Sequence, residues 1–238
     1  MRSDALEELR AALRQMLPAA AGSGAARLNG TAATLHEAEL AATTRMSPRR
    51  LLEFRAGRAV ARIALGELGA GSPPLPVGPS RAPVWPEGFV GSISHAGEVA
   101  VAVATRTADI RAIGIDLEPA LPLDAELLRR VCLPAELARL RRSADMALRA
   151  KLTFSAKESV YKCLAPVTGI FLEFDDVEIL FDSGPAEFSV RGHGPGEAAI
   201  GAEKIAGRFA LAGGYWLTTA WLSPPHRAAL PGSQGAGG

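Results

Sequence analysis

The sequence predicts an α+β fold, because helical and strand-like segments come in blocks: helices, strands, helices, strands. Three features carry this reading. SPRRLLEFRAGRAVARIALGELG has helix punctuation at both ends. EVAVAVATR alternates valine with alanine at the period of a strand. Residues 145–164 repeat the helical signal, and the strand-like FDDVEILF, AEFSVRG and RFALAGGYWLTTAWL follow. The blocks read as two similar halves meeting near residue 114.

Along residues 4–17, Leu6, Leu9, Leu13 and Leu17 recur at helical spacing, so the chain starts with an amphipathic helix. PAAAGSGAARLNG is rich in small residues and reads as a flexible loop. Helix resumes near Thr34 and breaks at Ser47-Pro48. The next helix takes Ser47 as N-cap, Pro48 at its first position and Gly69 as its stop, with Leu51, Phe54, Ile63 and Leu65 as apolar contacts. AGSPPLPVGPSRAPVWPEG is irregular. VGSISHA and EVAVAVATR form a hairpin across Ala-Gly, with Val99, Val101 and Val103 on one face. The alanines of the other face call for a close-packed neighbour. RAIGIDLEP is the next strand. Residues 124–142 read as basic helices interrupted near Pro134, and the helix over 145–164 stops before Pro166. Residues 225–238 have the composition of a disordered tail.

The chain holds 26 basic and 25 acidic residues, a net charge of +1, so any polyanion site must be a local patch. Cys132 and Cys163 show no metal or redox spacing and read as reduced thiols of a cytoplasmic protein. The N-terminus lacks the pattern of a secretory signal, and no apolar run reaches membrane-span length. Trp85, Tyr161 and Trp216 are too scattered for a stacking platform, which argues against single-stranded nucleic acid.

Chemistry concentrates in a few places. In IGIDLEP, Asp116 and Glu118 share one strand face while Ile113, Ile115 and Leu117 share the other. Two carboxylates side by side call for a cation, and a hard divalent ion fits; taken alone, so common a pair reads more readily as a solvated strand end. In FSAKESVYK, Glu158 and Lys162 are helical neighbours, beside Lys157. They fit either a surface pair or a third carboxylate flanked by phosphate-binding lysines. Ser155 and Glu158 have the spacing of a capping box, but helical spacing through Leu148 and Leu152 runs past Ser155. Arg50, Arg58 and Arg62 fall along one helix face and suit an anion, or a solvated basic face. Arg81 adds a charge in the Pro-rich loop. In GSISH, Ser94 and His95 close a strand whose glycine and hydroxyls permit close approach of an anion.

Taken in order, WPEGFVGSISH, IGIDLEP and FSAKESVYK resemble the 4′-phosphopantetheinyl transferases, of the Sfp-like class that includes the siderophore-synthase type. The basic helix and GIFLEFDDVEI also look like that class, and the likeness covers roughly residues 45–220. It implies two pseudo-symmetric α/β halves with the active site between them. These are an N-terminal half over 1–113 that binds the adenosine phosphates of coenzyme A, and a C-terminal half over 114–224 that carries the metal carboxylates. It implies Mg²⁺-dependent transfer of the phosphopantetheine arm of CoA to a serine of an apo carrier protein domain (acyl, peptidyl or aryl), with release of 3′,5′-ADP. Mn²⁺ is an alternative metal. By resemblance Asp116, Glu118 and Glu158 hold the metal, and Glu158, Lys162 and Asp116 are catalytic. Arg50, Arg58, Arg81, Ser94, His95, Lys157 and Lys162 contact CoA. Arg50 and Arg81 stand where other members carry lysine. The class further implies a monomer with no nucleic-acid or membrane partner. The basic segment LLRRVCLPAELARLRRS is the expected carrier-docking surface. The competing reading is an inactive CoA-binding module of the same fold.

Overall fold

The computed structural model describes residues 3–30, 34–181, 186–201 and 205–223. The expected tail at 225–238 lies outside them. A three-stranded antiparallel sheet, in the order β1–β3–β2, is formed by β1 (Ala21–Arg27), β2 (Phe89–Ala96) and β3 (Val99–Arg106). A five-stranded sheet runs β4–β8–β7–β6–β5. Its strands are β4 (Ala112–Pro119), β5 (Val177–Phe181), β6 (Glu187–Gly192), β7 (Ile205–Ala212) and β8 (Tyr215–Leu222). The helices are α1 (Ser3–Met16), α2 (Glu37–Leu40), α3 (Pro48–Glu67), α4 (Ala125–Val131), α5 (Pro134–Leu140), α6 (Met146–Thr168) and α7 (Pro195–Ile200). The α+β class is as the sequence predicts.

Each sheet contains the same unit: a strand, a long helix, then a hairpin whose second strand returns beside the first. In one sheet this is β1, α3, β2 and β3; in the other it is β4, α6, β7 and β8. Glycine makes the equivalent helix–strand contact possible in both. A Cβ on Gly22 or Gly24 of β1 would lie 2.2 Å from the carbonyl oxygen of Ala64 or Val60 on α3. One on Gly114 of β4 would lie 2.0 Å from that of Ser159 on α6. Each helix therefore lies nearly against the backbone of its strand.

This contact corrects the flexible-loop reading of residues 18–30. Ala21–Arg27 is a full strand paired along β3. Its glycines and alanines have weak strand propensity, but they are the residues that let α3 approach. A second correction concerns α6, which continues through Pro166 to Thr168. Proline removes one helical hydrogen bond, yet Cys163 and Leu164 are fully buried at this end, and Gly169 closes the helix in the left-handed region at φ 64°. Ile63, expected as an apolar contact, is 47% exposed; α3 packs through Ala56, Val60, Ala61 and Ala64.

Other expectations hold. Ser47 accepts a hydrogen bond from the Arg50 amide, and Pro48 opens α3. The β3 alanines face α3, and Val99, Val101 and Val103 face a second core with Ile113, Ile115 and Leu117 of β4. The apolar face of β4 thus anchors it, and Asp116 and Glu118 point toward α6.

Candidate active site

Asp116 is buried at the junction of the two sheets, with 3% exposure. Its Oδ1 accepts from Ser94 Oγ of β2 at 3.0 Å and from Lys162 Nζ at 2.5 Å, and its Oδ2 accepts from Ser155 Oγ of α6 at 2.8 Å. Ser94 Oγ also accepts from the Leu117 amide at 3.2 Å, which ties the first sheet to the second at this carboxylate. On α6, Lys151, Ser155, Glu158 and Lys162 form one stripe at helical spacing. Lys151 Nζ meets Glu118 at 3.2 Å. Glu158 has no hydrogen-bond or ion-pair partner among the described residues.

The carboxylates sense one another. Burial raises the Glu118 pKa above its ordinary value, and the Asp116 charge raises it further against Lys151. Burial also raises the Glu158 pKa, with Lys162 opposing and the Asp116 and Glu118 charges adding to the rise. Such crowded oxygen donors are chemically suited to a hard cation. Among the described residues, no group of three or more carboxylate, histidine or cysteine side chains is placed to hold a metal ion by itself. Mg²⁺ does not require such a group, because it takes one or two carboxylates and completes its shell with phosphate oxygens and water. The donor set therefore fits Mg²⁺ bound together with a phosphate substrate.

A basic corner adjoins the site at the same end of β2, where His95 follows Ser94. Arg50 Nη1 is 3.0 Å from His95 Nε2 and 3.3 Å from Glu53. Arg49 meets Glu98 at 2.7 Å and donates to the Gly97 carbonyl. Burial lowers the His95 pKa, and the Arg50 charge contributes to this against Glu53. Arg58 is 5% exposed. It lies over the Phe54 ring and donates through Nε to the Leu75 carbonyl at 2.7 Å. Burial lowers its pKa to about 10, so it stays charged at neutral pH.

Not every expected site residue joins these groups. Lys157 is turned away from the carboxylates: its Nζ donates to the Val131 carbonyl at 2.8 Å and the Phe174 carbonyl at 2.7 Å, and it pairs with Glu136 at 2.8 Å. All its donors are used, and it is 3% exposed, so it offers no free donor to the carboxylate cluster, although it lines the cavity beside Glu158. Arg62, read with Arg50 and Arg58, is spent on buried Glu39 and the Pro73 carbonyl. Arg81 is exposed at φ 65° in the 77–83 turn, with no ion pair to a described residue. Conversely, Ser155, Lys151 and Glu53 were not singled out. Ser155 was weighed as a cap, and its place on the stripe of Glu158 and Lys162 was the available signal.

Beside Glu158, a cavity of about 250 Å³ is lined by Tyr161, Phe171, Leu172 and Phe174. A larger one of about 440 Å³, between Arg139, Arg149 and Phe181, includes none of the three carboxylates in its lining.

Two antiparallel units sharing a carboxylate–lysine cleft, with a basic corner at one end, define a protein suited to handling a phosphorylated substrate. Residues 36–105 match the family described as 4′-phosphopantetheinyl transferase N-terminal domain, and residues 112–220 match the 4′-phosphopantetheinyl transferase superfamily. The chain is 39% identical over 207 residues to 4′-phosphopantetheinyl transferase Svp of Streptomyces mobaraensis, covering 84% of this chain and 83% of that one. It is 35% identical over 196 residues to 4′-phosphopantetheinyl transferase Npt of Nocardia iowensis (77% and 87% covered). It is also 42% identical over 120 residues to enterobactin synthase component D of Escherichia coli (48% and 54% covered). The chain belongs to the 4′-phosphopantetheinyl transferase superfamily, of the Sfp-like class, and is a transferase enzyme.

Proposed function

We propose that this enzyme transfers the phosphopantetheine arm of CoA to a serine of an apo carrier protein domain and releases 3′,5′-ADP. The observation that carries the reading is the cluster of Asp116, Glu118, Glu158 and Lys162 at the junction of the two sheets. The halves would divide the work at residue 114: the first holds the adenosine phosphates, the second the reacting pyrophosphate.

Arg50, Arg58 and His95 form a cationic corner for the adenosine phosphates, with Arg81 added from its loop. Ser94 links that corner to the reacting centre. Asp116, Glu118 and Glu158 would hold Mg²⁺, or Mn²⁺ in its place, which supplies charge neutralisation to the pyrophosphate oxygens. Lys162 is 2.5 Å from Asp116 and 27% exposed, so it is within reach of a phosphate entering the cleft. It stabilises negative charge on the departing 3′,5′-ADP. The serine oxygen attacks the β-phosphorus, and the bond from that phosphorus to the bridging oxygen breaks, its electron pair leaving with 3′,5′-ADP. Glu158 takes the serine proton. Positioning and charge neutralisation supply most of the catalysis in such a reaction. We assign the pantetheine arm to the cavity beside Glu158, whose largely apolar wall is joined by Lys157 and Glu173.

The carrier docks, in this reading, on the basic face of α4 and α5, where Arg129, Arg130, Arg141 and Arg142 are exposed. The enzyme works as a monomer in the cytosol; no helix among the described residues is long and apolar enough to cross a membrane. The test is mass spectrometry of apo carrier proteins incubated with enzyme, CoA and Mg²⁺. A gain of one phosphopantetheine arm, abolished by EDTA and restored by excess Mg²⁺, is expected. CoA binding with no modification of any carrier would instead support an inactive CoA-binding module. In the same assay, R129E/R130E is expected to raise KM for the carrier and leave KM for CoA unchanged.

A further inference from the structure

Asp116 accepts from two hydroxyl groups, those of Ser94 on β2 and Ser155 on α6, and the second has no role in the reaction as derived above. Ser155 is fully buried in the middle of α6, and its Oγ is 2.8 Å from Asp116 Oδ2. Thr218, also fully buried, stands opposite Asp116 on the paired strand β8. Its hydroxyl donates to the Ser155 carbonyl at 2.8 Å and lies 3.0 Å from Ser155 Oγ.

The available protons decide how this group is wired. Each hydroxyl has one hydrogen to give. If Ser155 gave its hydrogen to Thr218, Asp116 Oδ2 would face the interior with no donor, which is costly for a buried carboxylate oxygen. With the Thr218 hydrogen on the Ser155 carbonyl and the Ser155 hydrogen on Asp116, each hydroxyl spends its one proton and Oδ2 is served. Thr218 thus holds the Ser155 backbone, and Ser155 holds the carboxylate. This arrangement turns Oδ2 inward and leaves Oδ1 on the side of Lys162, which is the partly exposed side.

We propose that Ser155, backed by Thr218, is a positioning residue that fixes the rotation of the Asp116 carboxylate, so that Oδ1 stays on the Lys162 side, where a metal would take the place of the Lys162 hydrogen bond. A serine in a helix interior gains nothing for the helix, so its hydroxyl here is accounted for by the carboxylate it holds. Glu118 and Glu158 have no comparable buried support: Glu118 meets partly exposed Lys151, and Glu158 has no hydrogen-bond partner among the described residues. Asp116 is thus the rigid member of the three, and the other two adjust around it. The inference rests on the metal-binding reading given under the proposed function.

The test is direct titration of Mn²⁺ into the enzyme saturated with CoA, followed by electron paramagnetic resonance of free Mn²⁺, on wild type, D116N, S155A and T218V. CoA affinity without metal and thermal stability are measured in parallel. Loss of a hydrogen bond to a metal ligand characteristically costs 10–100-fold in metal affinity. We expect S155A to lose roughly that factor, T218V to lose less, and both to keep CoA affinity. A purely structural role would lower the melting temperature and leave Mn²⁺ affinity unchanged, which overturns the proposal. T218V supplies the answer if S155A does not fold, since unchanged Mn²⁺ affinity in T218V overturns the backing role of Thr218 and the proposal with it. If wild type and D116N bind Mn²⁺ alike, the metal assignment fails and this inference with it. If D116N loses Mn²⁺ while S155A matches wild type, the inference alone fails.

Discussion

At the scale of single residues, two side chains carry the tests of the proposed metal site and of its pH dependence. Asp116 accepts three hydrogen bonds and adds its charge to two neighbouring carboxylates. Asp116→Asn keeps the shape but removes a ligand charge, so transfer should fall by on the order of 10²-fold or more, as for loss of one group aimed at developing charge. Steady-state transfer beside far-ultraviolet circular dichroism checks this; near-wild-type turnover in a folded variant would remove Asp116 from the site. His95 carries the pH argument. Burial holds its folded pKa below the ordinary value, so the fold favours the neutral ring, whose Nε2 faces an Arg50 donor. The stability linked to it is present above the unfolded value of about 6.5 and is lost as pH falls through the folded value. A phosphate seated on Arg50 and His95 reverses this balance, because it favours the charged ring. Binding of 3′,5′-ADP near pH 6.5 should therefore take up protons. Calorimetry in buffers of different ionisation enthalpy reads that uptake, and it should be absent in His95→Asn.

At the scale of elements, the interest lies in how α6 serves two sides at once. One stripe carries Lys151, Ser155, Glu158 and Lys162 to the cleft. Lys157, next to Glu158, goes the other way to join α4, α5 and the Phe174 segment. Glu136 completes that joint by accepting from the Leu133 and Ile179 amides. The Lys157–Glu136 pair is nearly fully buried, and removing one partner of such a pair costs about 3–5 kcal/mol. Lys157→Met should lower Tm by roughly 6–20 °C for a protein of this size, whereas Lys162→Met, at a partly exposed position, should spare Tm and abolish most transfer. Parallel melting curves and transfer rates separate the two; an unmoved Tm in Lys157→Met would contradict the tether. This pair also shows what the sequence could reveal. Helical spacing alone put Glu158 and Lys162 on one face, and the punctuation at Ser47, Pro48 and Gly69 located α3. The destination of Lys157 depended on Glu136, twenty-one positions earlier in the chain, which no periodicity connects to it. Strand β1 was illegible for a related reason: its small residues signal a loop until the close approach of α3 is known.

At the scale of the whole molecule, the cleft is rigid only if the two sheets keep a fixed relation. Ser94 ties β2 to β4 at Asp116, and a shared core does the rest. Leu9, Leu13 and Met16 of α1 pack with Val99, Val101 and Val103 of β3, and also with Ile113, Ile115 and Leu117 of β4 and Leu217 of β8. Polar contacts fasten α1 to both sides: Arg10 donates to the Ala25 carbonyl on β1, and Glu8 accepts from the Gly213 amide in the β7–β8 turn at 2.8 Å. The first helix was legible from its leucine spacing, but its role was not, because nothing local reveals that one helix covers two sheets. Its residues lie before both family matches, which begin at residues 36 and 112. Leu13 is 1% exposed in this joint core. Leu13→Ala should destabilise the protein by about 2–5 kcal/mol. Since the lost contacts belong to both sheets, unfolding should remain one transition moved to lower urea, with fluorescence and circular dichroism coincident. Two separated transitions, with the first sheet melting alone, would mean that the halves are held together by the Asp116 junction and not by α1.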